Sequence, residues 1–237
     1  MHFTNQKFTM AKIKFGGPIM DARGKLAGIV FSANTHGAYI RRKVTPVNVA
    51  SPAQLLVRQN FTANSQAWRN LTDDQRKGFI EQKDNFKTTD IFGDLKSPTG
   101  QNLFIKLNQN ILQITETPID AVPLPEEVRG FVSLSLIADT GGGTFTLDFD
   151  PAIDVTVKVL IFATAPLSPG VNFVKADFRI ITVLDSTDVS PKDLATEYIA
   201  KFGALPQVGA KVFVQMRPIR ISSGIPGTLI KASDITI

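Results

Sequence analysis

The sequence predicts an α+β protein in two parts, an N-terminal β-hairpin or arm with a small three-helix module, followed by a C-terminal antiparallel β-sandwich. Three observations predict it. Apolar residues recur every three to four positions between residues 51 and 114, and every two positions after residue 131. A stretch with three prolines, Thr117–Glu127, separates the two periods. A basic, glycine-punctuated segment from Lys12 to Val44 precedes both. The division expected is 1–46 for the arm, 47–116 for the helices, 117–127 for a semi-rigid linker and 128–237 for the strands.

In the arm, Gly28–Ala33 and Ala38–Val44 have the composition of strands around a turn, Asn34-Thr35-His36-Gly37. A hairpin alone is marginal in water, so it is expected to lie on the helices or on a neighbouring subunit. Three helix starts follow. Ser51-Pro52-Ala53-Gln54 joins an N-cap serine to proline at the first helical position. The helix it opens places Ala53, Val57, Phe61, Asn64, Trp68 and Leu71 on one face. Thr72-Asp73-Asp74-Gln75 is a capping box with two acids where the helix dipole favours them, and Phe79, Ile80 and Phe86 form its expected buried side. Ser97-Pro98 is the third start, leading into the stripe Leu103, Phe104, Leu107, Ile111 and Ile114.

Beyond the linker, Phe131–Ala138, Thr144–Phe149, Val155–Thr164, Ala176–Val183 and Lys211–Ile221 alternate or run β-branched. With two shorter candidates, Thr228–Lys231 and Ile235–Ile237, they make about seven strands, the pattern of an immunoglobulin or fibronectin type III sandwich. Pro191–Phe202 is expected to be a short helix stopped by Gly203.

Composition narrows the functional classes. The 237 residues are 43% hydrophobic and 20% charged, which describes a globular chain. With no cysteine and only His2 and His36, disulfides are excluded and a zinc centre is not expected. No apolar run is long enough to span a bilayer, and the first residues lack the apolar core of a secretory signal, so neither membrane insertion nor secretory export is expected. Charge is uneven: residues 1–118 hold 16 Lys/Arg against 8 Asp/Glu, and residues 119–237 hold 10 against 13. A basic half suits an acidic protein partner, nucleic acid or a solvated surface.

No constellation of catalytic type emerges, and neither an enzyme nor a cofactor is expected. Gly141-Gly142-Gly143 has no Gly-Lys-Ser/Thr after it and reads as a hairpin turn. Asp148, Asp150 and Asp154 have oxygen ligands for calcium, but not the spacing of a calcium-binding loop. The candidates that remain are interaction residues: Tyr39, Arg41, Arg42, Lys43, Arg58, Trp68 and Arg69. On a strand Arg41 and Lys43 share a side and Arg42 faces the other. Arginine suits bidentate pairing with acids on a neighbour. Trp68 lies on the apolar helix face, where core anchor and interfacial hot spot are the two roles open to it.

The succession Gly24-Lys25-x-x-Gly28, Gly37-x-Tyr39-x-Arg41, Pro46-x-Asn48, Gln54-x-x-x-Arg58-x-x-Phe61 and Trp68-x-x-Leu71-Thr72-x-x-Gln75-Arg76 resembles a group of virion-associated structural proteins of bacteriophages and prophages. The resemblance covers about Lys12 to Asn110, and more loosely Phe131 to Ile235. It implies a virion component assembled in the host cytoplasm, capsid-associated as a decoration or minor capsid protein, with a tail or head–tail connector part as the alternative. It implies partners among other virion proteins, the capsid protein included, and further copies of the chain in a homo-oligomer. Nucleic-acid binding through the basic half is the rival expectation from a different class.

Overall fold

A computed structural model describes residues 10–14, 16, 21–34, 37–45 and 48–237. Thr35, His36, Pro46 and Val47, with residues 1–9, 15 and 17–20, lie outside the described residues, so the expected turn at Thr35-His36 does too. The fold is mixed α+β, and its paired strands are antiparallel. It forms two compact units, Met1–Val57 with Lys87–Pro98, and Arg58–Phe86 with Thr99–Ile237.

In the first unit, β1 (Met10–Lys12), β2 (Gly24–Leu26), β3 (Ile29–Asn34) and β4 (Gly37–Arg42) form a sheet in the order β1-β4-β3-β2. The expected pair of strands is thus the centre of a four-stranded sheet. A small hairpin, β5 (Thr88–Thr89) and β6 (Leu95–Lys96), belongs to the same unit.

The helix α1 (Pro52–Asn70) begins where Ser51 Oγ accepts the Gln54 amide at 3.4 Å. In α2 (Asp73–Gln82) both halves of the capping box form, Thr72 Oγ1 accepting from Gln75 N and Gln75 Oε1 from Thr72 N. The start expected at Ser97-Pro98 falls two residues later. Thr99 caps α3 (Gly100–Gln113) by accepting the Asn102 amide at 3.2 Å. Leu95–Lys96 are already strand, so Ser97 and Pro98 serve as the connection and Thr99 takes the N-cap.

All five stripe residues of α3 are buried, and Trp68, Phe79 and Phe104 meet as an aromatic trio with centroids 5.3–5.9 Å apart. Ile80 departs from its expected burial, remaining about half exposed over the start of α3, where Gly100 leaves room for it.

The second unit also holds two antiparallel sheets. One has the order β10-β9-β12-β13, from β9 (Val157–Ala163), β10 (Arg179–Leu184), β12 (Lys211–Arg220) and β13 (Ile230–Ile235). The other is β11-β8-β7, from β7 (Ser133–Asp139), β8 (Thr144–Asp150) and β11 (Lys192–Asp193). The two short candidates near the C-terminus correspond to the single strand β13, because its register with β12 runs unbroken from Ile230↔Met216 to Ile235↔Lys211.

Alternate residues of both sheets fill one core: Leu136, Ala138, Phe145 and Leu147 from one, Val159, Ile161, Val212, Val214 and Met216 from the other. The helix α4 (Ala195–Phe202) ends on Gly203 in the left-handed region at φ 93° and closes this core. The opposite side of β9 and β12 receives the end of α3, where Ile114 packs with Leu160 and Ile219 and Gln113 accepts from Arg217 at 2.9 Å.

The proline-rich stretch is held by side chains at both ends. Asn108, fully buried, donates to the Ile119 carbonyl at 3.0 Å and accepts its amide at 2.7 Å. Glu126 accepts from Ser223 Oγ at 2.8 Å and pairs with Arg220 at 3.3 Å. Residues 58–86 and 99–237 form one compact unit.

Tyr198 of α4 shows how closed the strand core is. It is fully buried, stacks on Phe145 at 4.5 Å and donates its hydroxyl proton to the Thr164 carbonyl at 3.0 Å. Burial pushes its pKa up to about 12, since a phenolate there would lose its hydration. The folded value exceeds the ordinary 10.0, so the linked stability is fully present below pH 10 and is lost as pH rises toward about 12. That amounts to up to about 3 kcal/mol at 1.36 kcal/mol per pKa unit. Tyr198→Phe is expected to cost about 1 kcal/mol at neutral pH, the worth of one hydrogen bond. It should also abolish that part of the alkaline loss, which urea unfolding at neutral pH and at about pH 11 would read out.

Candidate functional site

The first unit has the surface least explained by the chain itself. None of its described residues is buried, although it contains a four-stranded sheet and the first turns of α1. The register sorts that sheet into two unlike faces. Phe31 lies opposite Ile40, with Ala11 beyond, and Ile29 lies beside Leu26, so these residues make one apolar face that also carries Arg42. Lys25, Val30 and Arg41 lie in one row of the other face, and Lys12, Tyr39 and Ser32 in the next. Arg41 and Arg42 thus point to opposite sides. Lys43, one residue past β4, still donates its amide to the Gly28 carbonyl at 2.7 Å and continues the Arg41 side.

The turn between β5 and β6 is tied to β1 and the residues after it. Asp90 Oδ2 accepts from Lys12 Nζ at 3.1 Å, Lys14 pairs with Asp94 at 3.1 Å, and the Lys14 ammonium sits 5.2 Å from the Phe92 ring centroid. Desolvation works against the Asp90 carboxylate, but the amides of Phe92 and Asp94 and the Lys12 ammonium outweigh it and hold its pKa below the usual value. The apolar face remains open: Leu26 is 67% exposed, and Ala11, Gly28, Ile29, Ile40, Arg41 and Arg42 border a hollow of about 260 Å³.

On α1 the expected stripe exists, but it is covered only toward its C-terminal end. Asn64 is buried and Trp68 packs on Phe79 and Phe104, whereas Val57 and Phe61 are 59% and 55% exposed. The ring geometry gives Trp68 a place in the core. Arg58 and Arg69 are both exposed, eleven residues apart on the side of α1 away from the stripe. The described candidates therefore separate into a basic sheet face with Tyr39, Arg41 and Lys43, an apolar face with Arg42, a core anchor in Trp68, and a helix side with Arg58 and Arg69.

The acids considered for calcium do not converge. Asp148 and Asp150 share one face of β8, Asp148 accepting from Ser190 Oγ at 2.5 Å, while Asp154 accepts from the Thr156 amide and hydroxyl. Among the described residues no group of three His, Cys, Asp or Glu side chains is gathered as metal ligands would be. Gly141–Gly143 lie between β7 and β8, with the Gly142 amide held by Asp139 Oδ1 at 2.8 Å. His2 and His36 lie outside the described residues. No helix of the described residues is long and apolar enough to cross a membrane.

A second hollow, about 220 Å³, opens beside β12 and β13, where the Lys231 ammonium lies 5.7 Å and 5.8 Å from the Phe173 and Phe178 ring centroids. Sequence reasoning missed the partition of the N-terminal sheet, because Lys25 joins Arg41 only through the pairing of β2, β3 and β4. Period-two alternation alone could have linked Arg41 with Lys43. No protein-family model matches the chain, and no curated protein and no solved structure was found to be similar to it.

Proposed function

We propose that the chain is a bacteriophage virion structural protein, capsid-associated as a decoration or minor capsid protein, that acts through assembly contacts. The observation that carries this is the N-terminal unit, where a sheet with an apolar face and the exposed turns of α1 are folded without one buried apolar side chain among the residues whose burial is described. A small sheet and the uncovered first turns of a helix gain their stability from a surface they cover, which suits a component ordered by its neighbours. On this reading the strand-rich part is a sandwich of immunoglobulin or fibronectin kind presented outward or against a sibling, and the helices form the three-helix module beneath it.

The resemblance of the segment from Gly24 to Arg76 directs the assembly toward a virion. A tail or connector position uses the same surfaces. The basic character of the N-terminal unit favours one reading of another class, nucleic-acid binding, which predicts affinity falling steeply with salt.

Quantitative mass spectrometry of gradient-purified particles tests the proposal. A fixed, substantial ratio to the major capsid protein is expected. A ratio of a few copies per particle would move the protein to the tail or connector, and absence from particles would remove the virion reading and leave nucleic-acid binding in front.

A further inference from the structure

Charge divides between the two units as sharply as burial does. Met1–Val57 with Lys87–Pro98 carries ten Lys/Arg against three Asp/Glu, while Arg58–Phe86 with Thr99–Ile237 carries 16 against 18. The first unit's three acids are engaged within it: Asp21 with Arg23 at 2.9 Å, Asp90 with Lys12 and Asp94 with Lys14. Among the described residues no ion pair forms at Lys25, Arg41 or Lys43. Two such units would repel each other, so a symmetric pairing of this surface with itself is disfavoured. Its fitting partner is anionic.

The same chain supplies that surface. On the outer side of β7 and β8, Ser133 pairs across with Asp150 and Ser135 with Asp148, and all four are exposed. The inward residues of these strands, Leu136, Ala138, Phe145 and Leu147, belong to the core, so the outward set is fixed by the fold. Neither strand contains Lys or Arg. The spacing agrees as well: Arg41 and Lys43 are two residues apart on one side of an extended chain, as are Asp148 and Asp150, so each pair spans about 6–7 Å.

We infer that the basic face of the N-terminal sheet, through Arg41 and Lys43 with Lys25 beside them, docks on the β7–β8 face of a second copy around Asp148 and Asp150. This rests on the assembly reading above and names the partner within it. The contact is heterologous, one surface of a copy meeting a different surface of the next, so it propagates into a ring or an array rather than stopping at a dimer. A four-stranded patch about 19 Å wide and 20 Å long is small beside the roughly 800 Å² per partner of a standard interface. The single contact is therefore weak and salt-sensitive, and gains strength by repetition.

Sedimentation velocity of the full chain over a concentration series, at low and high salt, tests this. Wild type is expected to associate beyond a dimer at low salt and to dissociate as salt rises. Arg41→Glu with Lys43→Glu, and separately Asp148→Lys with Asp150→Lys, should each weaken association at least about tenfold, since like charges then face each other. Asp148→Asn with Asp150→Asn keeps the acceptor for Ser190 and should weaken it less. Mixing the two charge-reversed proteins should restore association, which misfolded proteins could not do.

A chain that stays monomeric at every concentration, or one whose association ignores the Asp148 and Asp150 variants, would overturn the inference. So would a basic-face variant that loses binding to a short DNA duplex while its self-association is unchanged. Failure here is separable from failure of the virion proposal. Self-association by a protein absent from particles removes only the virion, and a monomer found at fixed ratio in particles removes only this contact.

Discussion

Gly224→Ala is expected to cost about 3–5 kcal/mol, a large part of the 5–15 kcal/mol that holds a typical domain folded. Two causes act at one atom. Gly224 sits at φ +67°, where an L side chain costs about 1–2 kcal/mol. A Cβ there would also lie 2.4 Å from the Leu107 carbonyl oxygen and 2.9 Å from Ile111 Cγ1. The first of these neighbours is helix backbone, which cannot turn aside as a flexible side chain would. Relief requires α3 and the turn after β12 to separate, and the Gly224 carbonyl would then give up the Asn110 side-chain amide at 2.9 Å. Gly143→Ala is the matched control, because Gly143 has φ +71° with nothing within 4 Å of the added carbon. It should cost only the conformational part, about 1 kcal/mol. Urea midpoints of the two variants at unchanged slope would separate strain from collision. Equal losses would mean that α3 does not approach the turn this closely.

That collision could not be foreseen from the sequence, and the contrast with α2 shows why. The capping box of α2 is written in four consecutive residues, so local chemistry alone places it. The start of α3 is written nearly as locally, yet Ser97 and Thr99 are both good caps. The choice fell to the strand residues just before and the helix packing just after. In the strand-rich part, alternation identified β7 and β8 because each buries one face, and continuous apolar runs identified β9 and β12 because both of their faces are covered, whereas β13 was legible only in fragments. Its burial alternates between half-exposed and exposed, and its edge position leaves the pattern weak.

The proline-rich stretch shows a related limit of local reading. Three prolines rule out helix and central strand, but they do not prevent Asn108 and Arg220 from fastening the chain through side chains. At the candidate site, the sequence indicated that Arg41 and Lys43 share a side. That Lys25 joins them, and that Asp148 and Asp150 stand exposed opposite Ser133 and Ser135 on two strands without Lys or Arg, depends on pairings between separate segments.

Phe104→Ala should cost about 3–5 kcal/mol and shift the emission of Trp68, whereas Phe61→Ala should change stability by less than about 0.5 kcal/mol. Phe104 is 1% exposed and its ring lies 5.3 Å from Phe79 and 5.5 Å from Trp68, so its removal leaves a cavity edged by the only tryptophan. That indole is an internal reporter, and its fluorescence should move toward the red as water reaches the space. Phe61 lies two turns before Trp68 on the same stripe of α1 but is 55% exposed. The pair of substitutions therefore compares the covered and uncovered ends of one amphipathic helix. Periodicity makes both ends apolar, but it does not say which surface covers them. A loss at Phe61 as large as that at Phe104, measured on monomer, would mean that the chain buries its own stripe, and the case for a docking surface along this part of α1 would go with it. A small loss on monomer that grows in the assembled state would identify the turns around Phe61 as surface covered by a neighbour.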